Sequence, residues 1–223
     1  MKDHSSAILY LCNVILFLFT HNFILMISQD VFGQSNEAAA AIASIFGWMN
    51  LFARGLGGVF SDSLNESMGM RGRLIVQTVL LLGEGAAVFI FASTDSLAGA
   101  IIVLVLFSLF VQSAEGTTYA IVPYVDPINM GTVTGVVGAG GNVGAVAFGL
   151  CFRELDYKTA FNIMGSCIMV SSIVTVFINI PGYSRLQGGE DLVVDKETGE
   201  ILEFDGEDSV MDSSRRGQKE PLV

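Results

Sequence analysis

The chain has 223 residues, 52% of them hydrophobic, with a mean hydropathy of +0.60 and a formal net charge of −11. This composition excludes an ordinary soluble domain, and 11 Lys+Arg against 22 Asp+Glu leave no basic surface for nucleic acid. The charge is uneven: residues 181–223 hold 11 Asp+Glu and 5 Lys+Arg, a net of −6, which leaves −5 for residues 1–180.

Six apolar segments follow one another along the chain, at 7–27, 38–60, 74–93, 97–122, 130–152 and 159–180. Each is long enough to cross a hydrocarbon core of roughly 30 Å at about 1.5 Å per residue. The first follows Lys2 as a signal peptide would, but it runs for 21 residues and no A-x-A cleavage pattern follows, so it reads as a span. The expected fold is therefore an all-α membrane bundle of six transmembrane helices over 1–181. Residues 182–223 are acidic and polar and read as a disordered tail.

The connections are short. Residues 28–37, 94–96 and 153–158 fall on one side, and 61–73 and 123–129 on the other, together with both termini. Lys2, Arg71, Arg73 and Arg185 lie on the terminal side, and Arg153 and Lys158 on the opposite one, beside Glu154 and Asp156. By the positive-inside rule both termini are cytoplasmic. In the 61–73 connection, Asp62 can accept hydrogen bonds at the start of the next helix. Arg71 and Arg73 can anchor to lipid phosphate, so the loop reads as a gating element.

Charges within spans are the sharpest functional clues, because a lipid-facing charge costs several kcal/mol. They are Arg54 in the second span, Glu84 in the third and Glu115 in the fourth. Arg54 shares a helical face with Gly47, Asn50 and Gly57 or Gly58, and small and polar neighbours are the lining of a cavity rather than of a packed core. A guanidinium offers a planar fork of donors suited to a small planar oxyanion. The competing reading is a structural pair with Glu84 or Glu115. Glu115 lies on a polar face with Ser108, Gln112 and Tyr119, and Glu84 lies two turns from Gln77. Either acid can carry a proton in transport, pair with Arg54 or cap a backbone.

The fifth span is unusual: residues 131–149 contain seven glycines in nineteen positions. In water glycine costs a helix about 1 kcal/mol per residue, whereas in a bilayer the backbone must bond to itself and small residues admit close neighbours. Gly131, Gly135, Gly138, Asn142, Ala145 and Gly149 recur at steps of 3 or 4 and form one smooth face with one polar point. Gly131, Gly135, Gly138 and Gly144 are the expected helix-packing positions. Cys12, Cys151 and Cys167 lie in or beside apolar runs with no metal or redox spacing. No nucleophile–base pair or phosphate loop appears, so neither an enzyme nor a cofactor is expected.

The stretches "ARGLGGVFSD", "GMRGRL", "AEGTTYAIVPYV" and "GVVGAGGNVGAV" resemble the nitrate/nitrite porter family of the major facilitator superfamily, in its eukaryotic high-affinity nitrate transporter branch. Residues 138–145, "GAGGNVGA", resemble that family's second nitrate signature, and 57–74 resemble the superfamily's loop motif between helices 8 and 9. The resemblance covers about residues 7–181 and matches helices 7 to 12 only, the C-terminal half of a twelve-span carrier. It implies that the chain is a fragment or half-length product whose N-terminal half is missing. It also implies that Arg54 is the helix 8 arginine that grips nitrate at the interface of the halves. Gly55 departs from the family, which commonly places proline after this arginine.

What the resemblance implies is nitrate or nitrite transport by alternating access, coupled to protons, in the plasma membrane. Gly140, Gly141 and Asn142 are expected to touch the anion. Asn50, Glu84, Glu115 and Tyr119 are expected on the pathway or in proton coupling. The expected partners are nitrate or nitrite, protons, the lipid bilayer, the complementary half and an accessory protein. A carrier for another solute, such as a sugar or organic anion, and a non-transporting membrane partner remain the alternatives.

Overall fold

The computed structural model describes residues 35–189, 191–195, 201–203 and 219–221. The expected span at 7–27 lies outside them, as does the side chain of Asn142. Among the described residues five α-helices follow in order: α1 Asn36–Met68, α2 Met70–Ala92, α3 Leu97–Val125, α4 Met130–Glu154 and α5 Tyr157–Thr175. Of these, α2, α3 and α4 are long and apolar enough to cross a membrane by length and composition.

The 61–73 connection differs from its sequence reading. It is helical up to Met68, and Gly69 alone separates α1 from α2. Ser61, Asp62 and Asn65 are polar because they lie on the last turns of a long helix, not because the chain leaves the helix there. Gly69 takes φ 61°, a left-handed conformation that L side chains rarely adopt, and its N–H closes α1 on the carbonyl of Asn65 at 2.9 Å. At Gly72 a side chain would strike the Leu64 backbone, so the absence of one lets α2 fold back tightly along α1. Helices α3 and α5 start on local side-chain caps. Ser96 accepts from the N–H of Gly99 at 3.2 Å. Asp156 accepts from the N–H of Thr159 at 3.0 Å, and that bond holds its carboxyl below the usual range.

Packing is uneven. Helix α1 lies along α3, and α2 packs on both α3 and α5, while α4 touches α3 and α5 only lightly. The shared core is built from Leu74, Leu81 and Val88 of α2, Leu104, Val111 and Ile121 of α3, and Met164 and Ile168 of α5. Phe161 joins it edge-on to Phe91 at 5.2 Å and to Phe152 at 4.8 Å. In lipid such interfaces hold by shape and dispersion rather than by escape from water. The outer side of α1 is the converse: Trp48, Leu51, Phe52 and Val59 are all well exposed, an apolar surface suited to lipid or another membrane chain.

After α5 the chain turns back under the bundle. Tyr183 meets Tyr124 edge-on at 5.2 Å, and burial pushes its phenol up to about 12. Ser184 and Asp191 then reach the start of α2. The N–H of Met70 donates to Asp191 at 2.7 Å, that of Arg71 to the Ser184 hydroxyl at 2.9 Å, and that of Ser184 to Asp191 at 2.5 Å. This side-chain pair satisfies first-turn N–H groups of α2 from the far end of the sequence. Three short strands follow in the acidic tail: β1 Leu192–Asp195, β2 Ile201–Glu203 and β3 Lys219–Pro221. They form an antiparallel sheet in the order β2-β1-β3, with Val193 opposite both Leu202 and Pro221.

Candidate anion site

The site begins with a crossing of two backbones. Ser113 on α3 donates its hydroxyl to the Ala53 carbonyl on α1 at 3.0 Å. A side chain at Gly57 would strike the Ser113 carbonyl, and one at Gly116 would strike the carbonyl of Arg54. Two glycines and one serine therefore bring α1 and α3 to backbone contact over a single turn, the geometry that small residues permit in membrane bundles.

That contact sets the charges in register. Arg54 and Glu115 form an ion pair through Nη2 of the guanidinium. The pair is lopsided: the Glu115 side chain is 10% exposed and that of Arg54 is 40% exposed. Arg54 Nε is buried and has no hydrogen-bond partner among the described residues. Room lies alongside, because a side chain added at Gly55 or Gly58 would meet nothing within 4 Å. Asn50 sits half-buried one turn before Arg54 on the same helix. The arrangement is a cation with one donor engaged, another idle and an open flank, which can accept a planar oxyanion through parallel N–H···O bonds.

Glu84, the other acid weighed against Arg54, is fully buried on α2. One level nearer the start of α2, Gln77 joins α3: its amide donates to Thr118 at 3.1 Å, and Thr117 donates to its carbonyl. Gln77, Thr117, Thr118, Glu84, Gln112 and Ser108 are all buried, and Gln77 with Thr117 and Thr118 makes a polar link across the α2–α3 interface of a helix pair of high hydropathy. Tyr119 is half-buried and packs on the apolar core.

A second arginine marks the end of the bundle. Arg73 is 6% exposed, with both terminal nitrogens engaged and Nε without a hydrogen-bond partner among the described residues. It pairs with Asp62 at 2.7 Å and donates to Ser61 at 3.1 Å and to the Tyr124 hydroxyl at 3.3 Å, while its guanidinium carbon lies 5.1 Å from the Tyr124 ring centre. Asp62 and Arg73 thus tie α1, α2 and α3 together. Arg71 contributes its backbone N–H to Ser184, and its side chain is exposed.

No protein-family model matches the chain. It is 36% identical over 160 residues to "High affinity nitrate transporter 2.5" of Arabidopsis thaliana, covering 70% of this chain and 32% of that one. It is 33% identical over 188 residues to "Nitrate transporter 2.2" of Chlamydomonas reinhardtii, covering 80% of this chain and 37% of that one. It is 39% identical over 123 residues to "Nitrate/nitrite transporter NrtP" of Picosynechococcus, covering 54% and 22%. The chain belongs to the nitrate/nitrite porter family. It spans about a third of the length of the first two of these curated relatives.

In this member of the porter family the glycine-rich helix divides into two faces. Val133, Val137, Gly140, Gly144, Phe148 and Phe152 are buried. Gly131, Gly135 and Gly138 lie on open flanks, where a side chain would meet nothing within 4 Å, and Gly141 is half-buried. Of the four glycines expected to pack helices, Gly144 is on the buried side, and the other three form a smooth stripe with room for an added side chain. Sequence reading passed over Ser113, Gly116, Ser184 and Asp191. Only Gly116 carried a signal, as a small residue one turn from a hydroxyl and beside an intramembrane glutamate.

Proposed function

We propose that this chain forms part of a nitrate carrier, with nitrite as a second substrate, and that Arg54 holds the anion. The half-open guanidinium carries this reading. A structural arginine in lipid is enclosed by its partners, as Arg73 is by Asp62, Ser61 and Tyr124, whereas Arg54 is 40% exposed and has its idle Nε beside the gap at Gly55 and Gly58. The names of the relatives supply the oxyanion class. Asn50, Gly140, Gly141 and Asn142 are the further residues proposed to line the anion's path, with Glu84, Glu115 and Tyr119 proposed for the path or its proton coupling.

The smooth stripe of α4 and the apolar outer side of α1 are proposed to face a complementary six-helix half. The two halves rock to expose the site alternately. Both termini are proposed to be cytoplasmic, in the plasma membrane. A proton accompanies the anion, because a negative interior opposes its entry by about 2.3 kcal/mol per charge per 100 mV. The test is co-expression with the first half of a nitrate transporter in cells lacking nitrate uptake. Uptake is expected from the pair and is expected to fall at least about tenfold with Arg54→Lys, which keeps the charge but loses the fork. Unchanged uptake kinetics in that variant would refute the role of Arg54.

A further inference from the structure

Resting on the nitrate-carrier reading, we infer that Glu115 is a built-in rival for the anion's seat, so that nitrate binds Arg54 as Glu115 takes up a proton. The chemistry of the two anions carries the inference. A carboxylate and nitrate are both planar, both spread one negative charge over oxygens, and both suit the same edge of a guanidinium. Glu115 already occupies Nη2 of Arg54, while Nε beside it is idle. Nitrate bound to both donors of that edge must take Nη2 from Glu115.

The displaced carboxylate is then stranded. Its side chain is 10% exposed on a helix that runs through the membrane, and an ionised carboxylate without a counter-charge is costly there. Among the described residues the groups around it offer no second cation. On α1 the charged neighbour is Arg54 itself. On α2 the span carries only Glu84, while Arg73, at the end, is committed to Asp62, and Arg71 is exposed. On α4 no charged residue occurs over 130–152, and Cys151 is its sole thiol. On α3 itself the other titratable groups are Tyr119 and Tyr124.

Proton uptake resolves the problem without changing the charge of the seat. The empty seat holds Arg54 cationic and Glu115 anionic. The loaded seat holds Arg54 cationic, nitrate anionic and Glu115 as the neutral acid. One proton from the aqueous side enters with each nitrate, no bond to nitrate forms or breaks, and the loaded seat moves without net charge. The backbone contact at Gly57, Ser113 and Gly116 keeps the two side chains within reach in both states.

The experiment measures labelled nitrate binding to the full chain, purified together with the first half that gives uptake, in lipid nanodiscs across a pH series, for wild type and Glu115→Gln. One proton taken up per anion makes the wild-type Kd fall about tenfold for each unit of pH decrease while Glu115 is ionised in the empty seat. Glu115→Gln removes the rival's charge, so its Kd is expected to match the low-pH wild type and to show no pH slope. A wild-type Kd that is flat with pH, or a Glu115→Gln protein that binds nitrate more weakly than wild type, overturns the rivalry and leaves the carrier reading standing. Absence of nitrate binding to wild type at every pH overturns both. Calorimetry of wild type in buffers of different ionisation enthalpy decides the case even if the variant does not fold. About one proton absorbed per nitrate bound is expected, and none would refute the inference.

Discussion

Arg54 and Arg73 are the same residue type, on adjacent helices of one bundle, in opposite conditions. Arg73 is buried and enclosed, with a carboxylate, a hydroxyl and an aromatic ring around one guanidinium. Arg54 is 40% exposed, has Glu115 as its ion-pair partner and keeps Nε idle beside empty space. The difference separates a residue that closes a structure from one that awaits a ligand. Both arginines keep Nε without a partner, but at Arg54 that donor belongs to a 40% exposed side chain beside open space, where an anion can reach it, whereas Arg73 is 6% exposed.

The comparison can be broken at the crossing that aligns Arg54. Gly116→Leu would drive a side chain into the Arg54 carbonyl, and overpacking of this kind costs about 1–3 kcal/mol or more. Thermal melting in detergent should fall markedly, with loss of nitrate binding, and a normal melt would remove the case for backbone contact. Asp62→Ala tests the enclosed arginine by leaving Arg73 buried without its counter-charge. A loss of about 1–3 kcal/mol is expected, with nitrate affinity retained. Affinity lost at unchanged stability would mean that the two arginines had been assigned the wrong way round.

Asp191→Ala removes the carboxylate that accepts from Met70 and Ser184, and about 1 kcal/mol is expected to be lost. Hydrogen exchange should quicken at the first turn of α2 and nowhere in α4. Gly135→Ala should matter least, within about 0.5 kcal/mol in the isolated chain, because a side chain there meets open space. A large destabilisation would show that the stripe is already covered in this chain.

These contrasts explain what the sequence made legible. Arg54, Glu84 and Glu115 stand out because charges are rare in apolar runs, and no structure is needed to see them. Which acid meets Arg54 is not legible, because the choice is made by how closely α1 and α3 approach, and that depends on Gly57 and Gly116 acting together across helices. The 61–73 stretch reads as a loop because its polarity is that of a bundle's end, yet α1 continues through it until Gly69. The bond from Met70 to Asp191 joins residues 121 apart, so no local pattern announces it. The polar link at Gln77, Thr117 and Thr118 is half legible. Each residue is unusual for a span, but only the pairing of α2 with α3 shows that they satisfy one another.

The most direct measurement is nitrate binding to Arg54→Lys and Arg73→Lys side by side, with thermal melting of both in the same lipid. Arg54→Lys should lose at least about tenfold in affinity at an unchanged melting temperature. Arg73→Lys should melt earlier and bind as wild type does. Wild-type nitrate affinity in Arg54→Lys would contradict the assignment of the half-open arginine as the anion's seat.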